Sequence, residues 1–406
     1  MPSGLYSQEY LLPGKLPELW DEPKVYSRFE YVYIYTLMWH LCQLFPEVHL
    51  LALDHVIIRV VNTLSYYGWT EDHAHAWNEL GLSGLLPARV LADFGTSLKL
   101  ATPEIITAEL SGKLAHYSRG DNVPKVGDWV AVHVTHSGTA VVESVVLRRN
   151  EIARKVPGKQ ATKQILAANI DIAFVLLALD NDFSIERLQR FLYQLSVSSI
   201  SPVIVLNKVD KTNEAQHYVD QLGSFDLPIL VCSATQDIGV DEVANSIHPA
   251  QTAILLGSSG VGKSTLTNKL LQREAQQTGA VRESDATGRH TTVHRELFLL
   301  PNGGLLVDTP GIRELQLWGT EEDLENKYKD IADLSERCRY SDCQHAQESG
   351  CAIRKALQNG KLDKSHYANY LKMKSELAGL AERQSMRAKR NNKRPRQNVD
   401  WHQDEE

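Results

Sequence analysis

Gly257-Ser258-Ser259-Gly260-Val261-Gly262-Lys263-Ser264, followed by Thr265, has the spacing G-x-x-x-x-G-K-[ST] between an apolar run and a helical pattern. At such a turn, glycines let backbone N–H groups converge on phosphate oxygens, and the helix N-terminus adds positive potential. Lys263 is then expected to reach the β- and γ-phosphates, and the Ser264 hydroxyl to bind Mg²⁺. Asp308-Thr309-Pro310-Gly311 ends another apolar run. It offers a second carboxylate on the Mg²⁺ side and, at Gly311, an N–H that can sense the γ-phosphate.

A third motif, Asn207-Lys208-Val209-Asp210, speaks for guanine. A carboxylate at Asp210 can accept from both N1–H and the exocyclic N2–H of that base. Adenine offers no such pair, and a carboxylate left unpaired strongly disfavours it. Ser233-Ala234 follows the next apolar run, as a second base-contacting loop would. GTP is therefore expected over ATP. An ordinary small GTPase carries the phosphate loop first. Here the base loop precedes it, so the strands of a nucleotide switch have been reconnected.

Residues 160–320 must position these motifs. Ile170–Leu177, Pro202–Leu206, Ile229–Cys232, Thr252–Leu256 and Leu305–Val307 read as strands. Helical patterns over Ile185–Ser196, Glu214–Gly223, Val240–Ile247 and Lys263–Gln272 alternate with them, which predicts a largely parallel sheet covered on both faces. Pro301-Asn302-Gly303-Gly304 predicts a hairpin. Ahead of this domain, residues 87–156 break into short alternating runs, including Ala88–Ala92, Ile105–Leu110, Trp129–Val134 and Ala140–Leu147, punctuated by Gly and Asp. A small antiparallel β-barrel follows, either oligonucleotide-binding (OB-like) or purely structural.

Residues 1–70 are aromatic-rich (Tyr31, Tyr33, Tyr35, Trp39) and have no link to the motifs. An apolar helix packed on the body, a poorly ordered extension and a translation start nearer Trp69 all fit. Residues 321–375 are helical and polar. Residues 376–406 form a tail, basic through Arg383, Arg387, Lys389, Arg390, Lys393, Arg394 and Arg396, then acidic at Asp404-Glu405-Glu406. The basic run is expected to grip phosphate and to order when bound.

With 406 residues, 43% apolar and 23% charged, the chain has the composition of a soluble multidomain protein. A net charge of −7 argues against a uniformly basic nucleic-acid coat but leaves room for local clusters. Cysteines at 42, 232, 338, 343 and 351 are poorly spaced for a disulfide framework and suit a reducing compartment. No run reaches the roughly 20 apolar residues of a membrane span. The start, Met-Pro-Ser-Gly-Leu-Tyr, lacks the layout of a signal peptide. A cytoplasmic protein without a membrane partner, acting as a monomer, is expected.

Taken together, the motifs resemble the circularly permuted GTPases, and within them the RsgA (YjeQ) family of small ribosomal subunit biogenesis GTPases. The order is base loop, second base loop (Ser233-Ala234), phosphate loop, switch I (Gly288-Arg289-His290-Thr291-Thr292), then Asp308–Gly311. The resemblance covers about residues 87–375. It implies an OB-like barrel, a permuted GTPase domain and a zinc-binding domain acting late in small-subunit maturation, with rRNA as partner. The family's zinc pattern, Cys-x4-Cys-x-His-x5-Cys, is met by Cys338, Cys343, His345 and Cys351. Such a ligand set also suits tetrahedral structural Zn²⁺ on chemical grounds.

Where a Ras-like switch carries a water-orienting Gln, this chain has Ile312, so slow hydrolysis by the isolated protein is expected. The resemblance points to His290 as the group that positions or polarises the attacking water. Thr291 or Thr292 should close over Mg²⁺ and the γ-phosphate. Switch II runs through Ile312–Leu317 into the zinc region, which suggests that γ-phosphate contacts bias an RNA-touching domain. The expected function is a ribosome-stimulated GTPase that hydrolyses GTP to GDP and phosphate to time its release from the small subunit. The alternative is a GTP-regulated RNA-binding assembly chaperone in which hydrolysis is incidental. A metabolic P-loop kinase is disfavoured by the guanine loop.

Overall fold

The computed structural model describes residues 64–392 apart from 83, 103, 118–122, 136–138, 147, 157–161, 274–294 and 309–315. A short helix, α1 (Glu71–Glu79), leads into β1 (Leu86–Asp93), β2 (Leu98–Ala101), β3 (Ile105–Leu110), α2 (Gly112–Tyr117), β4 (Trp129–Val134) and β5 (Ala140–Val145). These strands hydrogen-bond in the order β1-β2-β3-β5-β4, and β4 returns to β1, closing a five-stranded OB-like barrel. Along β1, Ala88 and Val90 enter the barrel core, whereas Leu91 joins the core of the following domain and Arg89 hydrogen-bonds to it. Burial on both faces explains why this strand reads as an almost unbroken apolar run.

Next come β6 (Glu151–Lys155), β7 (Lys163–Ala168), β8 (Ile172–Ala178), α3 (Ile185–Val197), β9 (Ser201–Asn207), α4 (Ala215–Leu222), β10 (Ile229–Val231), α5 (Val240–Asn245), β11 (Thr252–Gly257), α6 (Lys263–Leu270), β12 (Glu296–Leu299) and β13 (Leu305–Asp308). The order β10-β9-β8-β11-β13-β12 is parallel through β13, and β12 runs antiparallel beside it. On β8, Ala173, Val175 and Leu177 face one apolar cluster and Phe174, Leu176 and Ala178 the other. The period-2 pleat thus feeds two cores from one uninterrupted apolar run. The hairpin at Pro301–Gly304 joins β12 to β13.

Helices α7 (Glu321–Lys327), α8 (Lys329–Glu336), α9 (Ala352–Gln358) and α10 (Lys364–Asn392) form the last module. Its core includes Tyr328, Ile331, Ile353 and Met373, and it is completed by Tyr193 of α3.

Three boundaries differ from the sequence reading. Strand β6 lies within residues 87–156 but leaves the barrel to pair with β7, because Ile152 packs into the nucleotide-domain core. Residues 376–392 are not a separate tail: Tyr370, Met373, Leu377 and Leu380 recur at helical spacing and keep α10 packed on the module past residue 375. Finally, residues 64–70 belong to the body. Leu64 and Trp69 are buried, and a Cβ at Gly68 (φ +85°) would stand 2.7 Å from the Ala250 carbonyl. Residues 1–63 lie outside the described residues. Strand β2, of four residues, and helices α1 and α2 lie where the sequence pattern predicts no element.

Candidate nucleotide site and metal centre

The strands β9, β8 and β11 are neighbours, with Asn207 level with Ala178 and Gly257 level with Leu176. Three loops therefore leave the same edge side by side: the base loop after β9, an acidic turn after β8 and the phosphate loop after β11. This C-terminal edge is where open α/β sheets bind ligands.

In the phosphate loop, Gly257, Gly260 and Gly262 have φ of +151°, +77° and +102°. Gly262 is the tightest point, since an added Cβ would lie 2.2 Å from Asn207 Nδ2. Val261 is buried beneath the loop, and Ser259 and Gly260 are exposed. Lys263 Nζ donates to the carbonyls of Gly257 and Ser258, both at 2.7 Å. Burial pushes the Lys263 amine down to about 8, against the opposing fields of Asp308 and Asp182. Ser264 and Thr265 stand in the first turn of α6, and Asp308 is buried at the end of β13. Gly311 and the switch residues His290, Thr291 and Thr292 lie outside the described residues.

Asn207 is 2% exposed. Its Nδ2 donates to the Val261 carbonyl at 2.8 Å, and its Oδ1 accepts from Ala234 N at 3.1 Å. One side-chain amide thus ties together base loop, phosphate loop and the Ser233-Ala234 loop. Lys208 takes a left-handed conformation (φ +65°) and opens a 3₁₀ turn over Val209–Lys211, with Val209 N bonded to the Cys232 carbonyl. The Asp210 carboxylate accepts from the Ser233 hydroxyl, a bond that outweighs the burial penalty and holds its carboxyl below the usual range. It is therefore an ionised acceptor, able to receive two N–H donors.

Sequence reasoning passed over Asp180 and Asp182, although the signal existed: Asp-Asn-Asp closing an apolar strand run. Asp180 Oδ2 accepts from Lys208 Nζ at 2.7 Å, and Asp182 accepts from Ser258 Oγ and pairs with Arg187 at 2.8 Å.

Cys338, just beyond α8, Cys343 and His345 in the following loop, and Cys351 at the N-cap of α9 converge so that their ligand atoms all lie within 4.8 Å of one another. His345 Nδ1 is 3.5 Å from the sulfurs of both Cys338 and Cys351, while its Nε2 meets Ser335 Oγ at 3.2 Å. That outer bond leaves Nδ1 for a metal. Burial opposes ionisation of the Cys338 thiol, but the N–H groups of Ala352 and Ile353 at the start of α9 outweigh it and lower its pKa. Three thiols and an imidazole this close form a set that can hold a metal ion. Cys232 stands apart, buried under the base loop with its thiol pushed up to about 12.

On α10, Arg383 and Lys389 are exposed and Arg387 Nη1 donates to Thr162 Oγ1 at 2.7 Å. The side chain of Arg390 and residues 393–406 lie outside the described residues. No helix among the described residues is long and apolar enough to cross a membrane.

The RsgA GTPase family model matches residues 145–318. The Small ribosomal subunit biogenesis GTPase RsgA of Opitutus terrae is 39% identical over 335 residues, which are 79% of this chain and 91% of that protein. The protein of the same name from Syntrophotalea carbinolica is 38% identical over 343 residues, 82% and 94% of the two chains. Among solved structures, YjeQ from Thermotoga maritima superposes with a TM-score of 0.54 at 27% identity, covering 72% of this chain and 98% of that one. YloQ, described as a circularly permuted GTPase, gives 0.52 at 22% identity, covering 73% and 96%, a likeness of fold. With barrel, base loop and phosphate loop following one another in this order, and with relatives matched over nine-tenths of their length, the chain belongs to the RsgA family of circularly permuted GTPases.

Proposed function

We propose that this GTPase binds the small ribosomal subunit and acts in its late maturation, hydrolysing GTP to GDP and phosphate to time its own release. The observation that carries the guanine site is the buried Asn207 amide, which fixes the Asp210-bearing loop to the phosphate loop through Val261. Asp210 accepts the two guanine N–H donors. Gly257–Gly262 supply backbone N–H groups to the phosphates, and Lys263 exchanges its two loop carbonyls for phosphate oxygens. Ser264 and Asp308 are the residues that would hold Mg²⁺, and the bound ion neutralises charge building on the β- and γ-oxygens. His290 positions the attacking water, Thr291 or Thr292 covers the γ-phosphate, and Gly311 senses it.

Cys338, Cys343, His345 and Cys351 would hold one structural Zn²⁺, a reading supported by the convergence of three cysteine sulfurs and a Ser335-oriented imidazole. The barrel and the basic face of α10 contact rRNA. The protein works in the cytoplasm as a monomer. A GTP-regulated chaperone with incidental hydrolysis is not favoured, since the named relatives are GTPases.

GTP turnover with and without purified small subunits tests the reading. Stimulation by small but not large subunits is expected, and His290→Ala should leave subunits with the protein still bound. Full-speed turnover without any particle would overturn it.

A further inference from the structure

We propose that Asp180 is a positioning residue for guanine recognition, holding Lys208 in place before nucleotide arrives. The inference rests on reading Asn207–Asp210 as the guanine loop. A ligand reaching from the end of β9 to the end of β11 must pass the end of β8, which lies between them in the sheet. The turn that follows β8 places one carboxylate toward each half of the site. Asp180 Oδ2 accepts from Lys208 Nζ at 2.7 Å, and Asp182 accepts from Ser258, the second residue of the phosphate loop.

The acidic turn is itself rigid. Asp180 Oδ1 accepts from Asp182 N at 2.9 Å, and the Asp180 carbonyl accepts from Phe183 N at 3.1 Å. Asp182 is tied to α3 through Arg187. At the other end, the left-handed backbone of Lys208 and the bond from Val209 N to Cys232 fix where the lysine starts. Both ends of the side chain are thus held, and its four-carbon stem spans the gap between two strand ends. Freezing a free lysine costs much of its rotamer entropy on binding, and fixing it beforehand removes that cost. The pair is about one-third exposed, with side-chain accessibilities of 28% and 33%, so salt should weaken it.

Because Asp180 serves the base half of the site and not the γ-phosphate, its loss should weaken GDP and GTP equally. Binding of a fluorescent GDP and GTP analogue pair to the full chain tests this with Asp180→Asn, Lys208→Met and the double variant. Asp180→Asn is expected to raise both dissociation constants about two- to fivefold at low salt, with the gap from the parent protein closing at high salt. Added to Lys208→Met, it should have no further effect. Additive losses in the double variant, a changed GTP:GDP ratio or a salt-independent gap would each overturn the positioning role. If Lys208→Met itself binds GDP as the parent does, the guanine-loop reading fails instead. Should Asp180→Asn not fold, Asp180→Glu is used, and restoration of less than full affinity together with the same non-additivity is expected.

Discussion

The side-chain amide of Asn207 donates to the main-chain carbonyl of Val261 at 2.8 Å, joining the residue that opens the base loop to the heart of the phosphate loop. Gly262 leaves just enough space for that amide to pass. The contact is tertiary and indifferent to which loop comes first in the chain, which is why the reversed motif order still assembles one site.

Gly262→Ala should therefore damage both halves at once. The new Cβ would lie 2.2 Å from Asn207 Nδ2, at a φ of +102° that alanine resists. A loss of about 2–4 kcal/mol in unfolding free energy is expected by urea titration, with guanine-nucleotide affinity falling at least tenfold. Unchanged stability would show that the loop relaxes freely around Asn207.

Lys263 gives the site a proton linkage. Its amine is held to about 8 by burial when no phosphate is present, against an unfolded value near 10.5. Phosphate favours the charged form, so nucleotide binding should take up a proton once pH exceeds about 8, and affinity should fall as pH rises above that value. Calorimetry of GDP binding at about pH 8.5 in two buffers of different ionisation heat reports the uptake. Identical heats would remove the linkage. Lys263→Ala should abolish binding altogether.

His73 makes an opposite window in acid. Burial, then the fields of Arg89 and Arg149, lower its pKa from 6.5 to about 4, and the neutral ring accepts from Thr70 N at 3.1 Å. The unfolded chain binds the proton first, so stability is full above about 6.5 and lost progressively as pH falls from 6.5 to 4. The contribution is on the order of 2 kcal/mol. His73→Leu should flatten the drop in urea midpoint between neutral pH and pH 5, and an unaltered slope would assign the drop elsewhere.

Metal removal should act on the last module. Cys351 both belongs to the Cys3His group and caps α9, accepting from Arg354 N at 3.4 Å. Cys351→Ser is expected to abolish a stoichiometric zinc signal by elemental analysis and to loosen α8, α9 and α10 to limited proteolysis. Retention of one equivalent of zinc would refute the ligand set.

The parallel strands were legible because they are buried on both faces: Ala173 to Ala178 need no polar side and so read as one run. The phosphate and base loops were legible because glycine geometry and hydrogen-bonding chemistry leave few residue choices. The β6–β7 ribbon was hidden, since β6 does not alternate: buried Ile152 and Ala153 are followed by half-buried Arg154 and Lys155, and the ribbon straddles a supposed boundary. Asp180 was hidden for a different reason. A carboxylate after a strand resembles a solvated turn until the lysine it meets, just past the end of a neighbouring strand, is placed beside it.

Strand β1 closes the barrel and also pairs with β12 at Ala92 and Glu296, so eleven strands form one hydrogen-bonded surface, reinforced where Lys99 meets Glu296 at 2.7 Å. Excising the barrel would bare the flank of β12 as an unguarded edge, inviting self-association. Barrel and nucleotide domain are therefore built as one continuous sheet, and neither half can be cut away without exposing that flank.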